Sequence, residues 1–142
     1  MEEIRDREFL AKGGRPVRAE GLRRIRLAFF HSMEGLGAAF KHEAAFRQEC
    51  LAACFLVPLA CLLALPVAVK ITLVGVVVFV LITELLNTAV ENCVDYISFD
   101  LHPFAKRAKD IGSAAVFLSL VFAGLTWILV LAAYWPVGWM EF

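Results

Sequence analysis

The sequence predicts an all-α integral membrane protein with three transmembrane helices and an amphipathic surface helix before them. Two observations carry this. Of the 142 residues, 61% are hydrophobic, and the mean hydropathy of +0.73 exceeds that of an ordinary soluble domain. The apolar residues also gather into three segments, about 50–69, 71–94 and 114–135. A helix needs roughly twenty residues to cross a ~30 Å hydrocarbon layer, and each segment is near that length. The formal net charge is zero, so no global field points to a nucleic-acid partner.

Residues 1–20 are charged, contain Gly13, Gly14 and Pro16, and lack the apolar stretch of a signal peptide. They read as a flexible cytoplasmic arm, and 21–142 as a single membrane domain. From 21 to about 49 the pattern changes. Leu22, Ile25, Phe29, Met33, Leu36, Phe40 and Ala44 recur at intervals of three and four, with Arg24, His31, Glu34, His42, Glu43 and Arg47 mostly on the other side. This is an amphipathic helix suited to a membrane surface, and Gly35 and Gly37 are expected to divide it.

The first span is interrupted by Pro58 and Pro66, and Pro58 is expected to kink it. The turn after it, 65–70, is short enough to require an antiparallel helical hairpin. The third span ends in an aromatic belt of Tyr134, Trp135 and Trp139. Arg23, Arg24, Arg26, Lys41 and Arg47 precede the first span, and Lys106, Arg107 and Lys109 lie between the second and third. The positive-inside rule then places the N-terminus and the 96–113 loop in the cytoplasm. Cys50, Cys54, Cys61 and Cys93 lack the paired spacings of a metal site and read as buried thiols.

The second span holds the chemistry. Residues 71–83 carry no charge, and then Glu84, Asn87, Glu91 and Asp95 follow at intervals of three, four and four. These positions share one face of a helix, within roughly 80° of one another. Carboxylates in hydrocarbon are costly, and those that persist there are usually functional. Glu84 lies about 21 Å along the helix from Lys70 and Glu91 about 10 Å further, so the stripe runs from the cytoplasmic leaflet toward the headgroups. A group at that level is within reach of a lipid's polar head and of a water-soluble molecule on the cytoplasmic side. The competing reading is that the stripe pairs with Lys or Arg to hold helices together.

Further acids, Glu43 and Glu49, flank Arg47 and Gln48 on the surface helix. The loop adds His102, Lys106, Arg107, Lys109 and Asp110, followed by Gly112 and Ser113. Cations beside carboxylates suit a phosphate carrying a divalent metal, and a basic loop equally suits anionic lipid. Phosphate-loop, dinucleotide and protein-kinase signatures are absent from the sequence. An ion pathway needs polar residues through the whole thickness, and 71–79 offers only Thr72. A passive structural or lipid-binding subunit fits the hydropathy alone.

Three strings add a resemblance. Glu43-Ala44-Ala45-Phe46-Arg47-Gln48-Glu49, Glu84-Leu85-Leu86-Asn87-Thr88-Ala89-Val90-Glu91 and Arg107-Ala108-Lys109-Asp110-Ile111-Gly112-Ser113-Ala114-Ala115 resemble the hallmark motifs of the small bacterial diacylglycerol kinases. The first is similar to the diacylglycerol branch rather than to the related undecaprenol kinases. The likeness covers about 21–135. It implies a homotrimer in the bacterial inner membrane, with active sites shared between subunits. The reaction it implies moves the γ-phosphoryl of ATP, with Mg²⁺, to the hydroxyl of diacylglycerol and gives phosphatidic acid. By the same resemblance Glu84 is the general base, and Glu43 and Glu91 hold the metal. Arg24, His31, Glu43, Glu91, Asp100, Leu101, His102, Lys109 and Asp110 contact ATP. Arg24, Ala45, Phe46, Arg47, Gln48, Glu49, Glu84 and Ser113 contact the lipid substrate, and Asn87 lines the site. His31 stands where the family has Tyr, Leu27 where Lys is common, and Gly37 where Arg is common. An undecaprenol or other long-chain alcohol acceptor is the alternative within the class.

Overall fold

The computed structural model describes residues 21–97 and 102–134. The arm 1–20, Asp100 and Leu101 of the expected nucleotide contacts, and Trp135 and Trp139 of the aromatic belt lie outside the described residues. All regular structure among the described residues is helical: α1 Gly21–His42, α2 Ala44–Leu62, α3 Val67–Ile97 and α4 Pro103–Tyr134. The last three are long and apolar enough to cross a membrane, so the protein is an all-α membrane protein. The chain divides into two compact units, one ending at Ala38 and one beginning at Ala39.

In the first unit α1 presents Leu22, Ile25, Phe29 and Met33 as an exposed apolar face. At the edge of that face Arg26 lies over the Phe30 ring at 5.6 Å, and on the other side His31 Nδ1 lies 3.3 Å from Glu34 Oε2. The helix runs unbroken through Gly35 and Gly37, contrary to the expected division. A helical glycine costs only about 1 kcal/mol, and the regular apolar repeat outweighs it.

The break falls instead at Glu43, which is extended at φ −100 and ψ 118. Lys41 and His42 in the last turn of α1 suit its negative end. Arg47 Nη1 reaches back to donate to the carbonyls of Phe40 and Lys41, at 3.2 and 3.1 Å. Two orphan carbonyls of the helix terminus are thereby satisfied. The boundary expected near residue 49 therefore moves to Glu43, and α2 starts at Ala44.

α2 continues through Pro58 to Leu62, short of the expected 69. Leu65 precedes Pro66, which disfavours helical geometry there, and the carbonyl of Pro66 accepts the N–H groups of Val69 and Lys70 to open α3. Lys70 Nζ donates to the Cys61 carbonyl at 2.7 Å, closing the hairpin. α3 and α4 outrun their expected spans of 71–94 and 114–135. At 31 and 32 residues each is about 45–50 Å long, well beyond the hydrocarbon thickness. Hydropathy registers only the apolar stretch, whereas backbone hydrogen bonding carries on into charged turns. Most of the expected 96–113 loop is consequently the start of α4, with Pro103 in its first turn and His102 Nδ1 accepting the Phe104 N–H at 3.3 Å.

α3 is central, packing on both α2 and α4. Ala60, Leu73, Val76, Val77 and Trp127 form the core. The thiols are not part of it: Cys54, Cys61 and Cys93 face outward and Cys50 is half-buried. Leu73 is fully enclosed at 0% exposure. Leu73→Ala is expected to lower stability by about 2–4 kcal/mol, read as a fall in thermal midpoint in detergent, while turnover per folded molecule is kept.

Candidate active site

The buried side of α3 is Leu73, Val76, Val77, Val80 and then Glu84, one continuous helical ridge. Asn87, Glu91 and Asp95 extend the same ridge by further turns. The polar stripe is therefore the packing face of α3 continued, and it meets the partner helices directly. Glu84 is 5% exposed and is the single buried carboxylate among the described residues.

Other acids converge on it. Glu43 stands at the bend before α2 and does not spend its side chain on capping that helix. Glu91 and Glu43 lie within electrostatic reach of Glu84, and Glu84 within reach of Glu49. The ion pairs among the described residues are His31–Glu34, Lys106–Asp110 and Lys109–Asp95, none involving these four. Helix-bridging pairs thus account for Asp95 and leave Glu43, Glu49, Glu84 and Glu91 unexplained by structure alone. Gathering like charges costs stability unless a cation or a proton arrives.

Two polar contacts order the rim. Asn87 Nδ2 donates to Glu91 Oε1 at 3.2 Å, while Asn87 Oδ1 is buried with no hydrogen-bond partner. That oxygen abuts Gly112 of α4: a Cβ there would collide with it and stand 3.3 Å from Asn87 Cγ. Glycine is what lets the two helices close at this level. Further out, Lys109 Nζ donates to both Asp95 oxygens, at 3.0 and 3.1 Å.

The remaining expected residues are spread more widely. Asp110 is exposed and paired with Lys106 at 2.7 Å. His102 stacks on Phe104 with ring centroids 5.4 Å apart, and Arg107 covers the same Phe104 ring. Ser113, Ala45 and Gln48 are exposed, and Phe46 is buried. Arg24 and His31 belong to the α1 unit. Below the acids a cavity of about 400 Å³ opens between helices, lined by Glu49, Leu56, Val77, Val80, Leu120 and Trp127 among others. Apart from Glu49 its wall is apolar. Sequence reasoning missed this cavity, the Gly112–Asn87 approach and the Lys109–Asp95 pair. A Trp in the middle of the third apolar segment, away from the interface belt, was the available signal for the first.

Among the described residues no three His, Cys, Asp or Glu side chains are arranged to hold a metal by themselves. The donor set nevertheless fits Mg²⁺ that arrives on a nucleotide. Such an ion takes one or two carboxylates together with substrate phosphates rather than a complete protein cage. Glu43 and Glu91 would supply two carboxylates, and the Asn87 hydrogen bond fixes one oxygen of Glu91.

A family model described as prokaryotic diacylglycerol kinase matches residues 30–131, which include Glu43, Glu84, Glu91, Lys109 and Ser113 but not Arg24. A diacylglycerol kinase of Pseudomonas aeruginosa is 44% identical over 111 residues, covering 78% of this chain and 90% of that protein. One from Haemophilus influenzae is 45% identical over 97 residues, with 68% and 82% covered. One from Escherichia coli K12 is 42% identical over 111 residues, with 78% and 91% covered.

Proposed function

The chain belongs to the prokaryotic diacylglycerol kinase family and is a lipid kinase of that type, and on this premise we propose that Glu84 is the general base that activates the hydroxyl of diacylglycerol for attack on ATP. The observation that carries the reading is the burial of Glu84 at the junction of α2 and α3 beside three acids that have no ion-pair partner among the described residues. A site that conserves stability would not gather them; one that handles a polyphosphate and its metal has use for each.

In this reading the γ-phosphoryl group passes from ATP to the free hydroxyl of diacylglycerol. The hydroxyl oxygen forms a bond to the γ-phosphorus, the bond to the β–γ bridging oxygen breaks, and ADP leaves. The hydroxyl proton goes to a Glu84 carboxylate oxygen and from there to water. Bound Mg²⁺ supplies neutralisation of phosphate charge, held by Glu43 and Glu91. Lys109 adds a point charge at the phosphates, and His102 and Asp110 border the nucleotide. The apolar cavity beneath Glu49 suits an acyl chain, which brings a glycerol hydroxyl to the level of Glu84. Phe46 and Arg47 shape the bend that delivers Glu43, while Ala45, Gln48 and Ser113 face the lipid. Catalysis then consists of positioning and charge neutralisation.

We further place the protein in the bacterial inner membrane as a homotrimer with shared sites, its N-terminus and the 96–113 stretch cytoplasmic. Ten of the fourteen Lys and Arg precede residue 50, which supports that orientation. The apolar ridge of Leu73, Val76, Val77 and Val80 below Glu84 argues against an ion pathway.

An acceptor panel tests the assignment. Purified protein in mixed micelles, given radiolabelled ATP and equal mole fractions of diacylglycerol, undecaprenol and a long-chain alcohol, is expected to label diacylglycerol at least about tenfold faster than the others, a 1.4 kcal/mol preference. Faster labelling of undecaprenol would assign the chain to the alternative acceptor.

A further inference from the structure

We propose that Asp95 is a positioning residue for phosphoryl transfer, its carboxylate holding Lys109 so that the ammonium faces the nucleotide phosphates and stays off Glu91. This rests on the reading of Lys109 as a phosphate-binding cation.

The geometry is specific. Asp95 lies in the last turns of α3 and Lys109 in the second turn of α4, and both Asp95 oxygens accept from the same Nζ, at 3.0 and 3.1 Å. An ammonium has three N–H donors, so at least one remains for a phosphate oxygen. A lysine stem is long and flexible and its charge is a point. Without an anchor, that charge would settle on the nearest unpaired carboxylate. Glu91 is one helical turn from Asp95 on the same face, and it has no ion-pair partner among the described residues. A Lys109–Glu91 pair would occupy the carboxylate assigned to the metal. Asp95 prevents this by taking Lys109 first.

A purely structural clasp is the weaker account. The side chains are 38% and 49% exposed, and pairs that open to water add little to stability. The same two helices are already closed against each other at Asn87 and Gly112. Lys109 also has no acid on its own helix at the spacing of three or four, where Ala105, Lys106, Gly112 and Ser113 stand. The contrast is Lys106, which uses Asp110. Among the described residues, the acid that holds Lys109 comes from α3.

The test is a double-mutant cycle in the full-length protein, with kcat, the Mg²⁺ concentration for half-maximal rate, and the thermal midpoint measured for each member. Asp95→Asn is expected to lower kcat about tenfold and to raise the Mg²⁺ requirement severalfold, with the midpoint near that of the parent. Asp95→Glu should recover most of the rate, and Asp95→Asn should cost nothing further in a Lys109→Ala background. The inference is overturned if Asp95→Asn keeps parental kcat and Mg²⁺ requirement while Lys109→Ala is impaired. It is also overturned if the two losses add independently, or if Asp95→Asn loses activity only in step with folded protein. A Lys109→Ala protein with parental kcat would instead remove the assigned role of Lys109, and this inference with it.

Discussion

Glu84→Gln is expected to reduce kcat about 10³-fold, within the range that a general base contributes, while KM for MgATP changes less than about threefold. The substitution keeps the shape of the side chain and one accepting oxygen, and removes the negative charge together with the proton acceptor. Stability should move the other way. Glu84 is buried, has like charges around it and has no ion-pair partner among the described residues, so neutralising it relieves repulsion and desolvation together. The thermal midpoint of Glu84→Gln in detergent should therefore equal or exceed that of the parent. An acid kept for structure gives the opposite signature, a lower midpoint with residual turnover. The pairing of lost activity with retained or improved stability is what a site residue shows when function is maintained at the expense of folding.

Gly112→Ala is the second large effect, and it acts at a distance from the reacting atoms. The added methyl meets Asn87 Oδ1, and the least costly response is for the Asn87 side chain to turn. Turning breaks the Asn87 Nδ2 hydrogen bond to Glu91 Oε1, which releases a carboxylate assigned to the metal. Loss of such a supporting contact typically costs 10–100-fold in metal affinity or activity. We expect a loss of about that size in kcat/KM, with a raised Mg²⁺ requirement. Stability should change little, because alanine gains about 1 kcal/mol of helix propensity over glycine and offsets part of the clash. Metal titrations of activity on the purified variant check this. An unaltered Mg²⁺ requirement would detach Asn87 and Gly112 from the metal.

What could be read in advance follows from the physics of each feature. The stripe of Glu84, Asn87, Glu91 and Asp95 was legible because helical periodicity is local, and because charges in an apolar segment stand out. The three long helices were legible for the same reason. Their ends were not: α4 begins at Pro103 rather than at 114 because helix propagation ignores polarity, whereas hydropathy measures nothing else. The bend at Glu43 was placed at Gly35 and Gly37 instead, since the stabilising contact, Arg47 onto the carbonyls of Phe40 and Lys41, spans residues whose meeting is tertiary. The same holds for Lys109 with Asp95, for Gly112 with Asn87, and for the cavity beside Trp127. Each joins two helices, and no spacing along one helix encodes it. Asp95 illustrates the point: by spacing alone it is equivalent to Glu91, the resemblance gives it no role, and its partner on α4 supplies the observation that the sequence lacks.

The central proposal for this acidic junction is that it drives the transfer of phosphate from ATP to a glyceride hydroxyl. The most direct measurement follows ADP and labelled phosphatidic acid together, using purified protein, γ-labelled ATP, Mg²⁺ and diacylglycerol in mixed micelles. Equal rates of the two products in the parent, both abolished in Glu84→Gln, are the predicted result. ADP released without labelled lipid, or labelled lipid formed as fast in Glu84→Gln as in the parent, would contradict it.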